Sequence, residues 1–419
     1  MTVTYTDVIS FFFFLYCLMG TSFATLVKKI PVIGDVGNWR FLMLVFAFIV
    51  CVFYSINKFN FKKYTRMCNG WYSAYVIIFL LCMCVLSVWS MNTYGQSIFD
   101  VLIASEGQYY VLLLPAFMYV YFRTDNLSKF FKILNYLLIL ILLLYGFATL
   151  LYMTTGSNIF GVSIRFGRLR LDPPFFAGIL LVYNLWNYLS NHSKASFVIG
   201  FIYLIYLFTM SGTRMEMIAS VAAVIMTILV TKKGFGWQSL LVFALGVGIA
   251  IANSMGIFDL ILESFSETSL TFGVSTRVRM EALDYFSSFQ LEHPFVGMGY
   301  VRGGMNTAWD YILYGPYGKY VFSDIGLIGF FYKTGFLSLL IIGIPLMRII
   351  YLFFQTWKSG QRNNKNSFLP VMAGTIAYIA ICQISLSITD VQRSMLLPFI
   401  WAFFEYIHFK SIKPVAVSE

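Results

Sequence analysis

Apolar runs of about 18 residues or more recur along this chain from one end to the other, each long enough to cross a bilayer as a helix. Ten-residue segments of alternating polarity, the mark of a membrane barrel, are absent, so every span reads as a helix. A soluble chain would carry roughly 25% charged residues. This one carries 11%, against 59% hydrophobic residues in a length of 419. The expected fold is all-α, a polytopic transmembrane helical bundle forming one integral membrane domain over residues 1–419.

With roughly 20 residues per crossing, about twelve spans fit the sequence. They fall near 7–27, 39–56, 71–91, 101–122, 131–152, 174–190, 196–210, 215–231, 237–258, 322–354, 368–387 and 391–409. An even number returns both termini to one side. Asp7 and the lack of a basic leading region before Val8 argue against a cleavable signal peptide. The fourth span is interrupted by Ser105-Glu106-Gly107, which predicts a broken or late-entering helix. The seventh and eighth are short and separated only by Ser211-Gly212-Thr213-Arg214. Irregular backbone at that depth needs protein or water around it, so the turn reads either as a cavity wall or as an ordinary tight hairpin. The stretch 259–321 is too long for a simple connector. It contains a helix-like segment, Ser275 to Gln290, with Val278, Ala282, Phe286 and Phe289 at helical spacing, and reads as a large, partly helical cap on the outer face.

Charge supplies the orientation. Lys58, Lys62, Lys63, Lys129, Lys132, Lys194, Lys232, Lys233, Lys358, Lys365, Lys410 and Lys413 fall in one set of loops. By the positive-inside rule that side is cytoplasmic and holds both termini. Arg165, Arg168, Arg170, Arg214, Arg277, Arg279 and Arg302 fall on the other side, against the rule. Guanidinium forks suit bidentate phosphate recognition, so their placement points to a phosphorylated ligand on the outer face. The net charge of +11 is explained by topology, and no nucleic-acid motif accompanies it. Of six cysteines, five lie in apolar spans and Cys68 in a cytoplasmic loop, so no disulfide is expected. Cys82 and Cys84 face different directions on a helix, which argues against a metal pair.

Four clusters could carry chemistry. Arg165, Arg168 and Arg170 precede Pro173-Pro174, which suit the first turn of a helix. They read as an anion site or as interfacial arginines snorkelling to headgroups. Arg214, at the start of the eighth span, reads as a pyrophosphate ligand or as one half of a structural ion pair. Arg277, Arg279 and Glu281 stand in the cap helix, where Arg277 and Glu281 are four apart and suited to simple pairing. His293, in His293-Pro294-Phe295-Val296-Gly297-Met298-Gly299, has the chemistry of a base or donor, although a loop histidine is more often structural. Asp324, in Ser323-Asp324-Ile325-Gly326, reads as a helix N-cap or as a carboxylate that takes a proton from a sugar hydroxyl. Gly326, Gly329 and Gly335 suit close helix packing. Phosphate loops, GxSxG elbows and zinc spacings are absent from the sequence.

From about Arg165 to Gly335 the chain resembles the O-antigen polymerase and O-antigen ligase superfamily of bacterial inner membranes. The resemblance rests on the arginine loop before Pro173-Pro174 and the Ser211-Gly212-Thr213-Arg214 turn. It rests also on the enlarged outer loop with its arginines and His293 to Tyr300, and on Ser323-Asp324 leading a Gly-rich span. Ligases of this superfamily typically carry a histidine at the start of the span after the large loop. Here that position reads Ser323-Asp324, which favours a polymerase. The resemblance implies inverting glycosyl transfer on the periplasmic face. Donor and acceptor would be oligosaccharide repeats on undecaprenyl pyrophosphate, with membrane lipid and a chain-length regulator as further partners. Arg214 with Arg277 or Arg279 would hold the donor pyrophosphate, and Arg165, Arg168 and Arg170 the acceptor. Arg302 and Glu281 would touch glycan. Asp324 is the leading base and His293 the second. No cofactor or metal is expected, since clustered arginines can replace a metal and no DxD pair is present. A ligase acting on lipid A core is the nearest alternative, and a transporter of the same lipid a more distant one.

Overall fold

The computed structural model describes residues 36–55, 69–124, 127–158, 164–165, 168–169, 171, 173–207, 214–231, 273–359, 367–384 and 393–412. The expected spans at 7–27 and 237–258, the turn Ser211-Gly212-Thr213, and Arg170 lie outside them.

Apart from one two-residue hairpin, the described elements are helical. In order they are α1 (Val36–Ser55), α2 (Asn69–Tyr94), α3 (Ile98–Ala104), a 3-10 segment (Glu106–Leu113), α4 (Leu114–Thr124) and α5 (Leu127–Thr155). The hairpin follows, β1 (Ile164–Arg165) with β2 (Arg168–Leu169), then α6 (Ala177–Asn191), α7 (Lys194–Tyr206) and α8 (Arg214–Val230). The cap contributes α9 (Gly273–Glu292) and α10 (Thr307–Tyr314). A 3-10 turn (Phe322–Ile325) leads to α11 (Gly326–Thr334), a π segment (Leu339–Gly343), α12 (Ile344–Lys358), α13 (Leu369–Cys382) and α14 (Leu396–Ile412).

Among the described residues, three helices are long and apolar enough to cross a membrane: Gly70–Tyr94, Leu127–Thr155 and Leu339–Lys358. A fourth crossing forms if Ile98–Ala104 and Glu106–Phe122, bent by 68°, count as one span. The break falls at Ser105, whose hydroxyl donates to the Val101 carbonyl at 2.7 Å. Ser105 and Glu106 are both buried, which meets the requirement that irregular backbone be enclosed by protein.

The bundle is held by apolar packing and a few satisfied polar pairs. Asn135 on α5 and Asn184 on α6 exchange two amide hydrogen bonds, at 2.9 and 2.8 Å. Gly374 on α13 lets α8 approach until a Cβ there would overlap Thr227. Phe399 to Phe404 on α14 are buried on every side, as befits a helix apolar all round.

Helix ends sort to two ends of the bundle. Tyr94, at the end of α2, donates to the Met298 carbonyl of the cap at 2.7 Å. At that same end Leu327, near the start of α11, donates to the Gln383 carbonyl just beyond α13 at 2.9 Å. Trp71, at the other end of α2, lies under the Arg348 guanidinium. Thr356 on α12 meets His408 on α14, which brings Lys358 and Lys410 to one end together.

Two expectations need correction. The tenth span is not one helix over 322–354. Gly335 takes φ 61°, and a Cβ there would overlap the Phe295 backbone of the cap, so the chain breaks after Thr334 and the crossing helix is Leu339–Lys358. The lysines are also less segregated than expected. Lys319 and Lys333 belong with the cap, and the Lys333 ammonium rests 4.8 Å from the Tyr300 ring centre.

Candidate functional site

The outer loop is docked onto the bundle through the segment expected to carry chemistry. Gly297 and Gly299 take positive φ, 57° and 86°, which lets the backbone turn in close against its neighbours. Met298 and Gly299 then donate to the carbonyls of Tyr332 and Lys333, at 3.1 and 2.7 Å. The Ser90 hydroxyl accepts from the Tyr300 amide at 2.8 Å. Gln96 donates to the Tyr300 carbonyl and accepts from the Arg302 amide, each at 2.8 Å. Trp309 donates to the Tyr94 carbonyl at 3.1 Å. The motif from His293 to Tyr300 is therefore an anchor that fixes the cap over the end of α2.

His293 is part of that anchor. Its amide donates to Phe289 and its carbonyl accepts from Gly297, while the half-buried ring stands edge-on to Trp89 with centres 4.7 Å apart. That arrangement fits the structural role weighed for it. Asp324 is exposed and sits inside the 3-10 turn. Neither Val321 nor Ile325, the residues that begin the turn and α11, makes a side-chain cap bond. Asp324 is thus not the N-cap of α11. Among the described residues its carboxylate has no hydrogen-bond or ion-pair partner.

The arginines separate by environment. Arg277 is 75% exposed and its Nε lies 2.8 Å from Glu281 Oε1, the i,i+4 pairing its spacing allowed. The other Glu281 oxygen lies 3.5 Å from the Tyr320 hydroxyl, so Glu281 is committed within the cap. Burial pushes the Tyr320 phenol up from its ordinary value, and the Glu281 carboxylate adds to the rise. Arg279, two residues on, is half-buried, and its Nε is shielded from solvent with no hydrogen-bond partner. Arg302 is taken up by Asp100, Nη1 to Oδ1 at 2.6 Å. Arg165 and Arg168 are register partners across the β1–β2 hairpin, and Arg214 is the first residue of α8.

Packing of α9 on the start of α11 sets the elements that carry two of these groups side by side. Phe286 of α9 stacks on Phe322 of the 3-10 turn, ring centres 3.7 Å apart. Ala282 and Phe286 join Met298, Val301, Tyr320 and Ile325 in a small apolar core of their own. The helix that carries Arg279 thus lies directly against the turn that carries Asp324. Chemically the arrangement offers, among the described residues, a guanidinium whose Nε has no hydrogen-bond partner and an exposed carboxylate without an ion-pair partner, on adjoining elements at the capped end.

One carboxylate and two ion pairs escaped sequence reasoning. Asp100 was hidden inside an apolar run, although Ser97 and Asp100 have the spacing of a capping box and form one. Glu216 Oε1 pairs with Arg393 Nη2 at 3.4 Å across 177 residues of sequence. Arg348 and Glu405 form a bidentate pair, at 2.8 and 3.0 Å, in the bundle interior. The only signal for either pair was a charge of each sign inside apolar runs far apart in the chain. Among the described residues no group of three or more His, Cys, Asp or Glu could hold a metal. No protein-family model matches the chain, and no curated protein matches it.

Proposed function

We propose that this chain is an O-antigen (surface polysaccharide) polymerase of the bacterial inner membrane. It spans the bilayer about twelve times, with both termini in the cytoplasm and the cap in the periplasm. It joins oligosaccharide repeats carried on undecaprenyl pyrophosphate by inverting glycosyl transfer. The observation that carries the reading is the pairing of elements at the capped end, where α9 with the unpartnered Nε of Arg279 packs on the turn bearing the exposed Asp324. The shielded Arg279 Nε is the costly member, since a charged donor left without a partner in a partly enclosed place is unfavourable unless a ligand completes it; Asp324 is exposed on the adjoining turn.

In this reading Arg279 receives the donor pyrophosphate. There it stabilises the negative charge that grows on the leaving group, an effect strengthened by partial exclusion of water. Asp324 takes the proton from the attacking sugar hydroxyl of the acceptor. Arg214 shares the donor, while Arg165, Arg168 and Arg170 serve the acceptor pyrophosphate. Arg277, tied to Glu281, contributes general positive potential.

The test is chain elongation by the purified full chain, given two lipid-linked repeats. A new glycosidic bond between repeats is expected; its absence with intact lipid binding would point to transport or binding alone. In a deletion strain, a single repeat on lipid A core is the polymerase outcome. Bare core with polymer accumulating on the carrier lipid would make the chain a ligase.

A further inference from the structure

A polar seam runs where α8 crosses α13, starting one turn or less from Arg214. On α8, Glu216 and Ser220 lie one turn apart on a single face; on α13, Thr375 and Tyr378 do the same. Tyr203 enters from α7. Glu216 stands close enough to Tyr203 and Tyr378 to act on both electrostatically. At the capped end Arg393 closes the seam: its side chain is 16% exposed, and that of its partner Glu216 6%.

The hydroxyls in this seam are anomalous. Tyr203, Ser220 and Thr375 are each 0% exposed, and none of the three hydroxyls makes a hydrogen bond. Tyr378 is the side chain that neighbours the Tyr203 hydroxyl. Two other buried threonines, by contrast, are satisfied by the preceding turn: Thr227 bonds the Ala223 carbonyl at 2.7 Å, and Thr334 the Phe330 carbonyl at 2.9 Å. A buried hydroxyl without a partner forfeits the bonds it made in water. Three such hydroxyls along a seam that also holds the Glu216 carboxylate describe a place suited to bound water, which typically makes about three hydrogen bonds to such groups.

We propose that this seam is a hydrated site entered from the capped end beside Arg393. In it, ordered waters bridge the Tyr203, Ser220 and Thr375 hydroxyls to the Glu216 carboxylate and hold it ionised. The ligand is water, and the site extends the solvent of the outer face into the bundle. Beside the proposed glycosyl transfer it would give the departing hydroxyl proton a route to bulk, but hydration of the seam does not depend on that reaction.

Hydroxyl-radical footprinting of the full chain in lipid discs, in oxygen-18 water and without substrate, tests it. Tyr203 and Tyr378 should label several-fold faster than Tyr72 and Tyr75, which are also buried but whose hydroxyls are bonded to the Leu112 and Ile341 carbonyls; Tyr203, as fully enclosed as Tyr72, is the decisive comparison. Equal rates for the two pairs would overturn the proposal. The double variant Ser220→Ala/Thr375→Val should suppress labelling of Tyr203 and Tyr378 alone; unchanged labelling would also overturn it. Infrared difference spectra between the unsubstituted chain and Glu216→Gln should show loss of a carboxylate band. Loss of a protonated carboxyl band instead would refute the ionised state. Because no substrate is used, these results stand apart from success or failure of the polymerase assay.

Discussion

The guanidinium of Arg302 lies 2.6 Å from the Asp100 carboxylate, joining the cap to the short helix just beyond the end of α2. The same carboxylate accepts from the Ser97 hydroxyl at 2.6 Å, so one side chain both caps α3 and holds the cap. This position had been expected to touch glycan, and its charge is already taken. Arg302→Ala should loosen the cap by about 1–3 kcal/mol, the range for a charge-assisted hydrogen bond. Limited proteolysis of the 273–321 segment measures it. The exchange Asp100→Arg with Arg302→Asp should restore much of the protection if the pair, and not the individual residues, is what matters.

Arg277 and Arg279 should behave very differently despite lying two residues apart. Arg277 is exposed and paired on the helix surface, a contact worth roughly 0.3–0.5 kcal/mol. Arg277→Ala should therefore change chain elongation only slightly. Arg279→Ala should reduce it about 100-fold or more, the scale seen when a donor to developing negative charge is removed. Equal losses in the two variants would show that the helix contributes bulk charge and not a specific grip. Elongation rates with equal membrane insertion decide it.

Asp324 can be tested as a base because the capping role has been removed by its position inside the turn. Asp324→Asn keeps the shape and loses the proton acceptor, so elongation should fall by about 100-fold or more. Asp324→Glu should retain much more activity. Similar mild losses for both would remove the residue from the chemistry, and His293→Ala would then separate the second candidate from its packing against Trp89.

Much of the architecture was legible because it follows from periodicity. Val278, Ala282, Phe286 and Phe289 marked α9, and those side chains do face the cap's own apolar core. Ser105-Glu106-Gly107 marked a break, and the helix bends there. The tenth span was misread because hydropathy does not register φ: Gly335 turns left-handed to let the Pro294–Phe295 backbone pass, which only the folded cap requires. His293 to Tyr300 read as a chemical motif because histidine and glycines together suggest a site. Here they suit close backbone contact. Glu216 with Arg393 and Arg348 with Glu405 were illegible because a pairing between distant apolar runs leaves no local trace.

Gly335 offers a backbone test of the cap seam. Alanine there must hold φ near 61° and place its Cβ against the Phe295 carbonyl. A left-handed non-glycine residue alone costs about 1–3 kcal/mol, and the overlap adds to that. Gly335→Ala should lower the thermal midpoint and expose the His293–Tyr300 segment to hydrogen exchange. Gly304→Ala, positive in φ but with open space around it, should show the conformational cost alone. Indistinguishable variants would mean that the cap does not sit against this turn.

Arg348 and Glu405 make the sharpest energetic case. Their side chains are 6% and 0% exposed. Glu405 also accepts from Trp401 Nε1 at 3.0 Å, and the guanidinium lies 5.3 Å from the Trp71 ring centre. The pair thereby joins α2, α12 and α14 at the end away from the cap. Removing one partner strands the other charge in a poorly hydrated place, at a cost of about 3–5 kcal/mol. Glu405→Gln and Arg348→Met should each lower unfolding stability on that scale in detergent. The double replacement Arg348→Met/Glu405→Leu leaves no stranded charge, so it should be markedly more stable than either single change. If the losses simply add, the two residues act independently, and the ion pair is not what joins these helices.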